Sequence, residues 1–209
     1  MIRAVIFDFG GVISKPQNRA MLQDWARDHA GLSEVEIRDG YAAFRPGFDG
    51  GVYSGAEMYR RILSALGKPY TEALLTELER RDMESWSVPN PETLAWAREL
   101  KGAGFKVGIL TNMPLTFLPW FDRAASAFRA LADAEVISAA VRLVKPQPEI
   151  YRLMLERLAV RPDEAIFFDD MPGNVEGARK VGLFSERFTS VAAAKVALEK
   201  VMRDLAQDR

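Results

Sequence analysis

Asp8 ends the apolar run Ala4-Val5-Ile6-Phe7 and is followed by Gly10-Gly11. Thr111-Asn112 ends a second run, Val107-Gly108-Ile109-Leu110. Asp169-Asp170 ends a third, Ala165-Ile166-Phe167-Phe168, with Asn174 shortly after. Lys145-Pro146 stands just before a helical pattern that begins at Pro148. In an open parallel sheet, ligands bind beyond the carboxyl ends of the strands. If the apolar runs are such strands, the carboxylates, an ammonium and a hydroxyl converge on one rim. Like charges gathered there are costly unless a cation neutralises them. A hard cation such as Mg²⁺ prefers a few carboxylate oxygens plus water and phosphate oxygens. Lys145 would neutralise a further anionic group, and Thr111 and the amide of Asn112 would donate hydrogen bonds to it. A phosphate suits these donors and charges better than an uncharged ligand does. Singly, each piece has a plainer reading: Asp at a strand end favours turns and caps, Lys before Pro is often a solvated surface residue, and paired glycines permit a tight turn.

Composition narrows the alternatives. The chain has 209 residues, 48% hydrophobic and 27% charged, so it can bury a sizeable core beneath a well-solvated surface. A formal charge of -1 offers no basic excess for nucleic acid or an anionic membrane. No apolar stretch is long enough to span a bilayer. Asp8 interrupts the first apolar run, which therefore does not read as a signal peptide, and a cytoplasmic location is the default expectation. Cysteine is absent, which removes disulfides, thiolate catalysis and Cys-based zinc sites. With His29 as the single histidine, zinc sites built on several histidines are excluded within one chain. The chemistry rests on carboxylates, hydroxyls, amines and backbone.

The elements that must position these groups follow from the pattern. The three runs and Val136-Ile137 are short and apolar on both faces, which predicts buried parallel strands. Asn90-Pro91-Glu92 predicts a helix start, ending near Gly102 and Gly104. Further helices are predicted from Pro148 to Leu158, from Asn174 to about Gly182, and from Val191 to Leu205. This is an α/β arrangement, a doubly wound parallel sheet covered on both sides. Residues 14–88 break the rhythm. Met21, Leu22 and Trp25 share a helical face, as do Met58, Ile62 and Leu66, and Leu74, Leu75 and Leu78, with a turn-rich segment from Pro46 to Gly55 between. The expectation is a Rossmann-like core of residues 1–13 and 89–209 with an all-helical insertion, residues 14–88, after the first strand. Leu115 to Phe121 is either the start of a helix packed on the core or an exposed aromatic patch, so monomer and homodimer both stay open.

Ile6-Phe7-Asp8-Phe9-Gly10-Gly11-Val12, Ile109 to Asn112, Val144-Lys145-Pro146 and Phe167 to Ala178, in that order, resemble the four motifs of the haloacid dehalogenase superfamily. The pattern is similar to its phosphatases with a helical cap after the first motif. The resemblance covers essentially the whole chain. It implies a phosphohydrolase acting on a small phosphorylated metabolite. Asp8 would be the nucleophile that becomes an aspartyl phosphate, and Thr111 and Asn112 would hold the transferring phosphoryl group. Lys145 would steady both. Asp8, the backbone carbonyl of Gly10 and Asp170 would bind Mg²⁺, with Asp169 and Asn174 in support. Gly10 and Gly11 would border the phosphoryl group.

Gly10 departs from many of these phosphatases, which carry there a second Asp that protonates the leaving oxygen and later activates water. Such groups typically contribute roughly 10²–10⁴-fold. Three consequences stay open: a preference for good leaving groups such as sugar 1-phosphates, a cap residue in its place (His29, Asp49 or Glu57), or a weakly active or non-catalytic phosphate binder. A haloacid dehalogenase is the alternative enzyme. It would use Asp8 to displace halide without a cation, which Asp170 argues against. Specificity would come from the cap, with Phe44, Arg45 and Phe48 as candidates, and Phe48→Ala is expected to alter substrate preference more than stability.

Overall fold

The computed structural model describes residues 1–207. Strand β1 (Ala4–Phe7) is fully buried and pairs in parallel with β2 (Lys106–Thr111) on one side and β4 (Ala165–Asp169) on the other. Strand β3 (Ala134–Ile137) extends the sheet beyond β2, and β5 (Phe184–Arg187) extends it beyond β4, giving the order β3-β2-β1-β4-β5. The four expected strands are present. The fifth was not expected: of its FSER sequence only Ser185 is buried, so this edge strand carries no apolar run. It is recruited by pairing with β4 and by the Ser185 hydroxyl, which donates to the Phe167 carbonyl at 3.1 Å.

Alternate residues of the strands feed two cores. Val5, Phe7, Val107, Ile109, Ile166 and Phe168 join one, with α5 (Pro91–Gly102), α6 (Leu118–Arg129) and α10 (Val191–Gln207). Ala4, Ile6, Leu110, Val136 and Phe167 join the other, packed on α8 (Pro148–Leu158) and α9 (Pro172–Arg179). The period of two along each strand thus covers both faces of the sheet with helices. Asn90 caps α5 with Pro91 at its first position, as its sequence predicts. Helix α9 instead begins at Pro172, because the Asn174 side chain is used elsewhere. Phe117 and Phe121 are buried, so the segment after β2 leads into a helix packed on the core.

Between β1 and α5 lie α1 (Arg19–Ala30), α2 (Glu34–Asp49), α3 (Gly55–Ala65) and α4 (Glu72–Ser85). Their starts carry Asn18, Ser33, Ser54 and Thr71, whose side chains accept the amides left open by a first helical turn. The expected turn-rich segment is shorter than its sequence suggests, since α2 runs through Pro46 to Asp49. Phe48, 1% exposed, anchors that last turn. The two chain crossings between insertion and sheet are tied together: Ser14 and Pro89 form an antiparallel bridge, and Lys15 N–H donates to the Val88 carbonyl at 2.7 Å. A short helix, α7 (Ser138–Val141), follows β3.

Candidate active site

The register explains the convergence. Phe7 lies level with Ile109 and Phe168, so the chain leaves the sheet at Asp8, Thr111 and Asp169 along one edge. Asp8 is buried at the start of a tight turn, Phe9–Ile13, and its Oδ1 accepts the Phe9 N–H at 2.7 Å. Lys145 has no exposed side-chain surface. Its Nζ lies 2.9 Å from Asp8 Oδ1 and 2.6 Å from Asp169 Oδ2, and donates to the Leu110 carbonyl at 3.0 Å. The plainer reading of Lys145, a solvated surface residue, is therefore wrong.

Asp169 is saturated. It accepts from Lys145, from the Met171 N–H at 2.8 Å and from Asn174 Nδ2 at 3.0 Å on each oxygen. It fixes Lys145 and the loop after β4. Asn112 is likewise a clamp: its Oδ1 accepts the Lys145 N–H at 2.8 Å and its Nδ2 donates to the Lys145 carbonyl at 3.0 Å. Its side chain is thereby used to set Lys145, so an Asn112 amide for the phosphoryl group is left to the backbone. Thr111 is 2% exposed and lines the cavity described below.

Asp8, Asp169 and Asp170 each place a carboxylate oxygen within 4.8 Å of the others. Gly11, at φ +72°, brings the first loop under Asp170, and a Cβ there would lie 3.0 Å from Asp170 Oδ2. Burial pushes the Asp8 carboxyl up to about 7 against the pull of Lys145, and Asp169 and Asp170 reinforce the rise. Burial, and then Asp169, also raise Asp170. Burial works against the Lys145 charge, but Asp169 and Asp8 outweigh it and hold the ammonium protonated. With Asp169 occupied, Asp8 and Asp170 are the two carboxylates whose crowding a divalent cation relieves, so the donor set fits a hard ion such as Mg²⁺.

Above these groups opens a cavity of about 610 Å³, roofed by the insertion. Arg45 and Phe48 line it, as do Tyr41, Asp49 and Trp86, whereas Phe44 is absent from its walls. Phe44 packs inside the insertion, its carbonyl accepting from the Tyr53 hydroxyl. Arg45 is engaged within the insertion: it pairs with Asp49 at 3.1 Å and lies over the rings of Tyr41 and Trp86. Trp86 escaped the sequence reading. Its one signal is position, at the return of the chain toward the core. A Cβ at Gly10 would meet its ring at 3.0 Å. Ser138 was missed too: it accepts the Met113 N–H and donates to the Asp49 carbonyl, joining sheet edge to insertion.

The family model for haloacid dehalogenase-like hydrolases matches residues 2–182. The chain belongs to that family. The mouse bifunctional epoxide hydrolase 2 is 32% identical over 149 residues, covering 69% of this chain. The match spans only 27% of that longer protein. A putative phosphatase of Bacillus subtilis is 27% identical over 191 residues, covering 88% of this chain and 81% of its own. Among solved structures, a haloacid dehalogenase-family enzyme from Bacteroides thetaiotaomicron, in complex with magnesium and inorganic phosphate, superposes with a TM-score of 0.69. It is 17% identical and the match covers 91% of this chain and 96% of that one, a likeness of fold. This haloacid dehalogenase-like hydrolase contains, among its described residues, no helix long and apolar enough to cross a membrane.

Proposed function

We propose that this hydrolase is a Mg²⁺-dependent phosphatase acting on a small phosphorylated metabolite through an aspartyl phosphate at Asp8. The observation that carries the reading is the buried Asp8–Lys145–Asp169 chain with Asp170 facing the same turn, at the floor of a cavity lined on its other side by the insertion. The polar contacts of Asp8 from Phe9 and Lys145 both fall on Oδ1, so Oδ2 is the oxygen proposed to attack phosphorus. Lys145 holds that carboxylate in place and meets the phosphoryl charge, while the Thr111 hydroxyl and the backbone amide of Asn112 donate to the phosphoryl oxygens, with Gly10 and Gly11 beside them. Asp8, Asp170 and the Gly10 carbonyl would hold Mg²⁺, whose charge lowers the repulsion between carboxylate and phosphoryl dianion. Residues 14–88 act as a cap over a core of residues 1–13 and 89–209, excluding water and shaping the space for the leaving group. Phe48 and Arg45 belong to that shape, Arg45 through Asp49 and Trp86.

Gly10 supplies no proton, and the ring of Trp86 covers its place. The favoured substrates therefore have leaving groups that depart as stable anions, sugar 1-phosphates, aryl and acyl phosphates among them. The test is release of phosphate from an alkyl, aryl and acyl series with Mg²⁺ and with EDTA. Turnover that needs Mg²⁺ and rises steeply as the leaving group becomes more acidic supports the reading. Turnover that survives EDTA, or a flat series, contradicts it.

A further inference from the structure

Two buried side-chain polar atoms among the described residues have no hydrogen-bond partner: Asp49 Oδ1 and Trp86 Nε1. Both residues line the cavity above Asp8. A buried polar atom left unpaired costs about 1–3 kcal/mol, so native proteins keep few of them. Two in one cavity mark where a bound molecule supplies the missing partners.

An aspartyl phosphate must be cleared by water after the leaving group departs. That water approaches phosphorus from the side opposite Asp8, the side roofed by the insertion, and it needs a base. Position 10 offers none. Of the other groups named from the sequence, His29 is on the surface, stacked on Trp25 at 4.4 Å, and Glu57 is spent on Arg60 and Arg61; neither lines the cavity. Asp49 does, and it is 6% exposed.

We infer that Asp49, the last residue of α2, is the base that activates the water which hydrolyses the aspartyl phosphate. The inference rests on the phosphatase reading above and adds a residue to it. Asp49 is fixed at both ends. Its carbonyl accepts from Ser138 Oγ at 2.5 Å, and Ser138 Oγ accepts the N–H of Met113, two residues past Thr111, at 2.8 Å. The base is thereby tied to the loop that holds the phosphoryl group. On the side chain, Arg45 Nε donates to Oδ2 at 3.1 Å, and the Arg45 guanidinium is itself set against the rings of Tyr41 and Trp86. Burial raises the Asp49 carboxyl and Arg45 opposes that rise, while the pair leaves the buried Oδ1 as the acceptor without a partner. Lys145, Asp82 and Tyr53 are the other titratable groups within electrostatic reach.

The steps balance. Asp8 Oδ2 forms a bond to phosphorus as the bond to the leaving oxygen breaks; that group departs with its electron pair and is protonated by solvent. Water then attacks phosphorus, Asp49 Oδ1 takes one of its protons, and Asp8 leaves as carboxylate with inorganic phosphate as product. An ionised Asp49 has no proton to give in the first step, so the dependence on good leaving groups persists beside it.

Rapid-quench kinetics with 4-nitrophenyl phosphate and Mg²⁺ on the full chain test this. In Asp49→Asn, one equivalent of nitrophenol is released per protein in a burst, phosphoryl-protein accumulates, and steady turnover falls roughly 10²–10⁴-fold. Asp49→Glu, which keeps a carboxylate, recovers part of that turnover. Should the Asn variant not fold, Asp49→Ser gives the same reading. Unchanged turnover, or loss of burst and turnover together in a folded variant, overturns the assignment. Abolition of both by Asp8→Asn in the otherwise intact protein is the separate test of the phosphatase reading.

Discussion

Gly10 has φ -65° and ψ 122°, a backbone conformation open to any residue, so its missing side chain answers a neighbour rather than the backbone. That neighbour is the six-membered ring of Trp86. Sequence alone shows the lost carboxyl but not what took its space, because Trp86 lies 76 positions away on another element. Restoring the acid by Gly10→Asp should leave alkyl phosphate hydrolysis nearly unchanged, whereas Gly10→Asp with Trp86→Ala should raise it roughly tenfold or more; a gain from the single change would show that the ring yields. Gly11 is the opposite case, held at φ +72° beneath Asp170. Gly11→Ala should cost roughly 1 kcal/mol or more in denaturant unfolding and raise the Mg²⁺ concentration needed for half-maximal activity. Unaltered Mg²⁺ dependence would remove Asp170 from the proposed site. Asp8, Thr111, Lys145 and the Asp169-Asp170 pair were legible because each stands beside an apolar strand or a helix start. The clamp role of Asn112 was not, since its partner is backbone and backbone carries no sequence signal.

At the scale of elements, strands with apolar runs and helices opened by Asn or Pro announced themselves, and what went unread was whatever tertiary contact decides. Strand β5 forms through its neighbour, and α2 continues through Pro46 because Phe48 and Asp49 are both buried beyond it. Phe48 is core as well as cavity wall. Phe48→Ala should therefore destabilise the protein by about 3–5 kcal/mol, against the expectation that selectivity would change more than stability. Phe48→Leu, which keeps most of the volume, is the variant that isolates selectivity, and an Ala variant as stable as wild type would return Phe48 to the wall alone. Within the insertion, Asp82 accepts from Gln17 Nε2 at 3.2 Å. Burial pushes its carboxyl up to about 6, with Arg45 opposing. A carboxyl raised on folding keeps its proton longer in the native state, so stability from this group is present at low pH and is lost as pH rises from about 4 to about 6. The stability of wild type relative to Asp82→Asn should fall across that window by on the order of 2–3 kcal/mol and be level above it. A constant difference from pH 4 to pH 7 would show that Asp82 is ionised throughout.

For the whole molecule, the site is complete only where sheet edge and insertion meet: Asp8, Lys145 and Asp170 come from the core, Asp49 and Trp86 from the roof. The fold was readable from the order of its motifs, while the meeting of the two parts was not, since Ser138 and Asp49 are joined across 89 positions. Binding of Mg²⁺ to buried, crowded carboxylates should stabilise the native state by about 2.7 kcal/mol at a hundredfold excess over its dissociation constant. Thermal unfolding with and without EDTA reads this, and Asp170→Asn should abolish it. The claim on which the rest depends is the bond between Asp8 and phosphorus. The protein quenched in acid during turnover of an aryl phosphate, then digested and weighed, should carry one phosphoryl group on the peptide containing Asp8, with none in Asp8→Asn. A phosphoryl group on another peptide, or full turnover by Asp8→Asn, would contradict the account.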